Sequence, residues 1–124
     1  MSKESPMSSR KAVLSYVAKE FDIQPDYPWA KFPKYAVLRH AGSEKWFGIV
    51  MNVPKEKLGL AGEGELDILD VKCHPGKVGS LRQMEGILPG YHMNKEHWIS
   101  VVLDGTVATE HIHELIQDSY ELTK

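Results

Sequence analysis

Between residues 87 and 105 the sequence ILPGYHMNKEHWISVVLDG brings together side chains that could do several kinds of chemistry. Two of the chain's six histidines lie here, and an imidazole can ligate a metal or move a proton near neutral pH. Lysine and asparagine can donate hydrogen bonds to phosphates, and an indole can stack on a base. The stretch is therefore a candidate metal site, catalytic site or nucleic-acid interface, built from His92, Asn94, Lys95, His97 and Trp98.

The histidine spacings argue against a metal site. His92 and His97 are separated by four residues, one more than in the zinc-protease patterns H-E-x-x-H and H-x-x-E-H. His111 and His113 lie two apart in a predicted helix, where side chains so spaced do not face each other. Cys73 and the histidine after it are neighbours on a strand and face opposite ways. We expect no metal ligands and no cofactor.

A catalytic centre finds little support in the sequence. The lone Cys73 lies in an apolar strand, where a thiol is commonly buried and inert. Neither G-x-S-x-G nor G-x-x-x-x-G-K-[ST] occurs. Asp67 and Asp70 lie on opposite sides of their strand and cannot converge on one bond. We expect a non-enzymatic protein without catalytic residues, and an enzyme or small-ligand binder using the loop of His92 and His97 is the third hypothesis.

Nucleic-acid binding would use the same stretch in another way. Its histidines, Asn94 and Lys95 could contact phosphates, and Trp98 or Trp46 could stack on a base. Structural roles compete with these: Asn94 can cap one helical turn at residues 95–97, Trp98 can open a core strand, and the histidines can be partly buried hydrogen-bonding groups. The predicted nucleic-acid-binding residues are Lys34, Arg39, Lys45, His92, Asn94, Lys95, His97 and Trp98.

The charge is small overall and unevenly distributed. The net charge of −2 excludes a globally basic nucleic-acid binder. Residues 27–60 contain six bases and two acids, whereas residues 101–124 contain five acids and one base. The two regions form a basic face and an acidic helix, or two ordinary solvated faces. The second hypothesis uses the acidic helix or the sheet to hold a protein partner or a second copy of the chain.

Length and cysteine content bound the class of protein. The 124 residues suit one domain over 1–124, and residues 1–8 are polar and expected to be frayed or disordered. A single cysteine excludes an intrachain disulfide and suits a reducing compartment. The N-terminus lacks the apolar segment of a secretory signal, and no apolar run is long enough to span a membrane. We expect a soluble, cytoplasmic protein without a membrane partner.

Apolar periodicity predicts three helices and five strands. Helical spacing indicates amphipathic helices near both ends, capped by Ser8 or Ser9 and by Thr109, with Leu122 on the buried face of the last helix. Alternating and β-branched residues indicate strands. The predicted elements are a helix at 9–21, strands at 35–40, 45–53 and 66–73, a short helix at 77–84, strands at 91–93 and 98–103, and a final helix after Thr109.

The same patterns predict how these elements pack. Residues 24–34 carry three prolines and three aromatics, which indicates an ordered loop with Trp29 and Phe32 against the core, or else aromatics exposed on a ligand surface. Short connections favour an antiparallel sheet with helices on one face, a two-layer α+β fold of order α-β3-α-β2-α. The predicted inward-facing strand residues are Phe47, Ile49, Met51 and Val53 on one strand and Leu69, Val71 and Cys73 on the next.

The chain resembles the MmcQ/YjbR family of small bacterial proteins. The likeness rests on PDYPWAKF (25–32), LRHAGSEKWFGIVMNV (38–53), LGL (58–60), LDILDVKCHP (66–75), the stretch at 87–105 and LIQDSYEL (115–122). The resemblance implies a fold similar to type III secretion chaperones, a presumed DNA-binding role and no known catalytic set. DNA-binding by a non-enzymatic protein is accordingly the first hypothesis, and the motif residues that match are His92, Asn94, Lys95, His97 and Trp98.

Overall fold

A computed structural model describes residues 9–124, and these form three helices around a five-stranded antiparallel sheet. The elements are α1 (Arg10–Phe21), β1 (Ala36–Arg39), β2 (Trp46–Pro54), a 3-10 helix (Lys55–Leu58), β3 (Glu65–Lys72), α2 (Pro75–Arg82), β4 (Ile87–Pro89), β5 (Trp98–Val102) and α3 (Thr109–Leu122). The sheet order is β1-β2-β3-β5-β4, so the predicted α+β class and the order α-β3-α-β2-α are confirmed. The predicted frayed segment 1–8, with Ser8, lies outside the described residues.

The short strand before β5 lies earlier than predicted. It is Ile87–Pro89, paired with β5 through Ile87 opposite Val101, whereas residues 91–93 form a turn. Gly90 explains the early end: a Cβ there would stand 2.8 Å from the Cβ of Trp98. The chain must therefore pass close to β5 at a residue without a side chain and then leave the sheet.

Of the two predicted helix caps in the described residues, one is confirmed and the other is wrong. Ser9 caps α1, since its hydroxyl accepts a hydrogen bond from the Ala12 amide at 3.1 Å. Thr109 does not cap α3, because it is already the first helical residue and the residue before it, Ala108, makes no side-chain capping bond. Leu122 at the end of α3 is 39% exposed rather than buried.

The helices cover one face of the sheet, as predicted, and an apolar cluster fills the space between them. Leu69, Val71 and Cys73 of the third strand segment face the helices, as the alternation predicts. The cluster joins these three to Val17 of α1 and Ile116 of α3. Within residues 9–124 no helix combines the length and apolarity that a membrane span requires.

A second apolar cluster covers the opposite face, which the sequence patterns did not predict. Ile49, Met51 and Val53 belong to it, but Phe47 does not. The pairing slips at this point, because Leu38 lies opposite Gly48 while Arg39 lies opposite Trp46. Such a bulge interrupts the alternation of a strand. Phe47 therefore packs in the helix-side cluster, and the prediction that it shares the face of the other three is wrong. The prediction that those three face inward together with Leu69 is also wrong, because Leu69 lies opposite Val50 and the three are buried on the face away from the helices.

The proline-rich loop lies against this second cluster. Its Asp26 pairs with Val37 of β1 through two backbone hydrogen bonds of 2.8 and 2.9 Å, which holds the loop along the sheet edge. Trp29 is partly buried and packs on the cluster, as predicted. Phe32 is 49% exposed, so the prediction that it packs against the core is wrong.

Candidate functional site

A cavity of about 300 Å³ opens on the sheet face that carries no helices. The proline-rich loop, Tyr35 just before β1, the strand β2 and the turn after β4 all contribute to it. This volume is at the lower end of the range for small-molecule sites. The lining residues are mostly aromatic or sulfur-containing: Trp29, Phe32, Tyr35, Trp46, Ile49, Met51, Tyr91, His92 and Met93.

The aromatic rings of this cavity are held at defined angles to one another. The ring of Trp29 stands nearly perpendicular to Tyr35 (86°, centroids 6.1 Å apart) and to Trp46 (81°, 5.7 Å). Phe32 stacks on Tyr35 at 4.7 Å and 21°. Edge-to-face and stacked pairs of this kind stabilise aromatic clusters. Four of the lining rings thus pack against one another, while Phe32 keeps about half of its surface exposed.

A fixed guanidinium borders the cavity. Arg39 donates from Nε to the Oδ2 of Asp26 at 3.1 Å, and its second nitrogen forms an ion pair with the same oxygen. Its Cζ lies 5.5 Å from the ring centroid of Trp46. The cation is therefore oriented by a carboxylate and rests on a ring that also lines the cavity.

The turn at residues 90–97 supplies the opposite wall and is internally braced. His92 is exposed, adopts a left-handed backbone (φ 61°) and has its ring centroid 4.1 Å from that of Tyr91. The Asn94 side chain accepts from the Glu96 amide at 2.8 Å, and Lys95 Nζ donates to the Gly90 carbonyl at 3.0 Å. Asn94 thus makes the kind of contact that a helix cap makes, although residues 95–97 form a turn and not a helix.

The predicted nucleic-acid-binding residues do not gather in one place. His92 lines the aromatic cavity, and Arg39 touches its wall. Lys95 and His97 border a different depression, against α2, and Lys34 lines a third beside Arg10 and Asp67. The other members are Asn94 in the braced turn, Lys45, which is exposed just before β2, and Trp98, which is 9% exposed at the start of β5.

Sequence reasoning missed Asp70, which has no exposed surface. It lies in the middle of β3, between Ile49 of β2 and Ser100 of β5. The Ser100 hydroxyl donates to Asp70 Oδ1, while Oδ2 has no hydrogen-bond partner within residues 9–124. Burial raises the pKa of Asp70 to about 8, against the opposing effects of the Ser100 hydrogen bond and the Lys95 charge.

The surroundings of Asp70 connect it to the cavity walls. Ser100 Oγ also accepts from the Tyr91 amide at 2.8 Å, and Tyr91 lines the cavity. The pKa of Tyr35, another lining residue, is raised mainly by burial and also by Tyr91 and Asp70. The sequence signal for this site is an aspartate within the run LDILDVK. When one sheet face is assumed to meet solvent, such an aspartate is normally interpreted as pointing into the solvent.

The helix-side face offers less chemistry. A cavity of about 770 Å³ lies between α2 and α3 beside Cys73. Burial raises the pKa of the Cys73 thiol, which disfavours the nucleophilic thiolate. The His113 ring is stacked on Tyr16 at 3.7 Å. Across residues 9–124, no group of three or more His, Cys, Asp or Glu side chains is arranged to hold a metal ion.

Comparisons with known proteins cover nearly the whole chain. The family model described as YjbR matches residues 21–122. The Bacillus subtilis protein YyaQ, described as uncharacterized, is 52% identical over 118 residues, which are 95% of this chain and all of that protein. A Pseudomonas syringae crystal structure superposes with a TM-score of 0.92 at 48% identity, over 94% of this chain and 99% of that one. A Deinococcus radiodurans structure containing a DUF419 domain gives 0.71 at 27% identity, over 97% and 81%.

Proposed function

The chain belongs to the YjbR family, and from that premise we propose that it is a non-enzymatic nucleic-acid-binding protein that holds an unpaired base in its aromatic cavity. The observation that supports this proposal is the cavity itself. Aromatic rings line it, and two basic side chains, Arg39 and His92, border it. Proteins that bind single strands commonly combine stacking rings with a positively charged track for the backbone.

Stacking supplies the larger share of the proposed affinity. Stacking of one base on an aromatic side chain contributes about 1–3 kcal/mol. Phe32 is the ring best placed for a first contact because half of its surface is already exposed. A volume of about 300 Å³ suits one base and not a duplex, so the proposal favours single strands over double strands.

Contacts with phosphates supply the remaining part of the proposed affinity. Arg39 is held in place by Asp26 and rests on Trp46, and His92 is an exposed residue of the cavity lining, so the proposal assigns phosphate contacts to both. Lys34 and Lys45 are exposed close by in sequence, beside Tyr35 and Trp46. With about two to four phosphates neutralised, the logarithm of the binding constant should fall with the logarithm of salt with a slope of roughly −1.4 to −2.8.

The remaining predicted residues have supporting roles in this proposal. Asn94 and Lys95 brace the turn that carries His92. The carbonyl of His97 accepts from the Cys73 amide at 2.7 Å, and Trp98 opens β5 as a buried ring. None of these four needs to touch the nucleic acid for the cavity to bind a base.

Electrophoretic titration of single-stranded and duplex DNA, at low and at physiological salt, tests the proposal. Single strands should bind more tightly than duplex, and binding should weaken with salt. Phe32→Ala should weaken single-strand binding about tenfold or more. Tyr27→Ala is the matched control, since Tyr27 is equally exposed at 50% but lies outside the cavity. An absence of single-strand binding even at low salt would refute the proposal.

A second candidate function is a protein-interaction module, and one observation favours it. The groove beside α3 is lined by Glu114, Asp118 and Glu121 together with the exposed Leu122. An acidic rim around apolar surface is complementary to a basic amphipathic segment. Light scattering after size exclusion would test self-association, and a pull-down from lysate would test a partner. A strict monomer without a protein partner would contradict this candidate.

A further inference from the structure

Asp70 carries a buried side-chain oxygen that has no hydrogen-bond partner in the described part of the chain. Its carboxyl is fully buried, and Oδ2 lacks a hydrogen-bond partner within residues 9–124. An unpaired buried polar atom destabilises a fold, and such groups in native proteins often mark functional sites. An apolar residue would fit a sheet face whose neighbours are Ile49 and Ile68 far better. The carboxyl therefore calls for a role other than packing.

Asp70 lies directly behind the aromatic cavity. Across the sheet it is flanked by Ile49, which lines the cavity, and by Ser100, which holds the Tyr91 amide. Tyr91 to Met93 form the cavity wall on this side. The carboxyl is sealed from solvent, so a ligand can reach it only when this wall shifts. The wall belongs to a turn outside the sheet, with His92 in a left-handed conformation.

We propose that Asp70 reads the hydrogen-bonding edge of the base bound in the cavity and that its protonation state selects which base is preferred. This inference rests on the proposed function. A neutral carboxylic acid presents one donor and one acceptor, whereas a carboxylate presents acceptors only. Every base offers a donor beside an acceptor on its pairing edge, which matches the neutral acid. Guanine alone also offers two adjacent N–H donors, which match the carboxylate.

The two oxygens of Asp70 have the capacity for this recognition. Oδ2 has no partner within the described residues, and Oδ1 accepts only the Ser100 hydroxyl, which leaves it further lone-pair capacity. A pKa of about 8 keeps the acid mostly neutral at pH 7. Two approaching N–H donors would favour the ionised form and release the proton.

Other titratable groups lie near the carboxyl, and their effect on the pH dependence of binding must be distinguished from the effect of Asp70. Tyr35, before β1, and Tyr91 and Lys95, in the turn, interact electrostatically with Asp70 or with each other. Ile49 of β2 and Ser100 of β5 carry no charge. The imidazole of His92 also lines the cavity. His92→Gln is therefore a necessary control.

The test compares 5′-GMP, 5′-AMP, 5′-CMP and 5′-UMP at about pH 6 and about pH 8.5, with binding followed by quenching of intrinsic tryptophan fluorescence. The wild type should discriminate little among the four bases at the lower pH and should prefer GMP at the higher pH. Its affinity ratio of GMP to AMP should rise about tenfold, the size of one well-placed base contact. Asp70→Asn fixes a donor beside an acceptor, so its ratio of GMP to AMP should stay at the low-pH value at both pH values. His92→Gln should retain the switch.

The outcomes separate this inference from the function on which it rests. If a single-stranded oligonucleotide binds but the base preference is independent of pH, or Asp70→Asn behaves as the wild type, the inference fails while the proposed function stands. If neither nucleotide nor oligonucleotide binds at low salt, the proposed function itself fails. Circular dichroism of Asp70→Asn would establish that the variant is folded, and Ser100→Ala, which frees Oδ1, gives a second variant whose base preference should also shift.

Discussion

Replacing Asp70 with asparagine should make the protein more stable at neutral and alkaline pH. The folded-state pKa of this carboxyl is raised from 3.8 to about 8, so the folded protein keeps a proton that the unfolded chain has released. Stability from this group is fully present below pH 4 and is lost as pH rises toward 8, because ionisation costs more in the folded state. Asparagine has nearly the same shape and no charge to bury.

The expected size of this effect follows from the same shift. Each pH unit changes the free energy of unfolding by about 1.4 kcal/mol while only the folded state holds the proton. Between pH 5 and pH 8 the stability advantage of Asp70→Asn over the wild type should therefore grow by about 4 kcal/mol. Relaxation of the fold around the charge would make this increase smaller. Little further change is expected above pH 9.

Urea unfolding followed by circular dichroism, at one-unit steps from pH 5 to pH 9, measures this advantage. Asp118→Asn is the matched control, since Asp118 is exposed on α3 and should give a nearly constant difference. A constant difference for Asp70→Asn over the whole range would refute the reasoning. It would mean that Asp70 ionises in the folded protein as readily as in the unfolded chain.

Two further substitutions test the packing of the turn. Gly90→Ala should destabilise the fold by about 1–3 kcal/mol, because the new Cβ would stand 2.8 Å from backbone and side-chain atoms of Trp98. Thermal unfolding measures this loss. Gly42→Ala is the control and should be nearly neutral, because the space around Gly42 is open. Ser100→Ala should cost about 1–3 kcal/mol and speed hydrogen exchange at the Tyr91 amide, which would lose its acceptor; unchanged exchange there would contradict the bracing role.

The spacing of apolar residues predicted most of the fold, because most helices and strands keep a regular helical or alternating pattern along their own sequence. The helix-facing residues Leu69, Val71 and Cys73 alternate without interruption, and the structure confirms them. Phe47 departed from its pattern because the bulge beside it depends on pairing with β1. A bulge is a property of two strands together and leaves no signal in the alternation of one.

The candidate site was less predictable for a related reason. The sequence predicts His92 and Arg39 as nucleic-acid contacts, and the structure places His92 in the cavity lining and Arg39 against Trp46. The aromatic rings of the cavity come from separate parts of the chain, Trp29 and Trp46 among them, so no local pattern brings them together. The alternation that turns Leu69 and Val71 inward turns Asp70 outward, toward a face that in a two-layer sheet usually meets solvent. Here the proline-rich loop and the turn after β4 cover that face.

The three tryptophans allow the most direct measurement of where a strand binds. Their indole N–H signals can be followed by two-dimensional NMR during titration with a short single-stranded oligonucleotide at low salt, after assignment by single Trp→Phe variants. Signals of Trp29 and Trp46 should shift strongly because both line the cavity, while Trp98, which is buried outside it, should change little. Binding that leaves Trp29 and Trp46 unmoved would contradict base binding in the aromatic cavity.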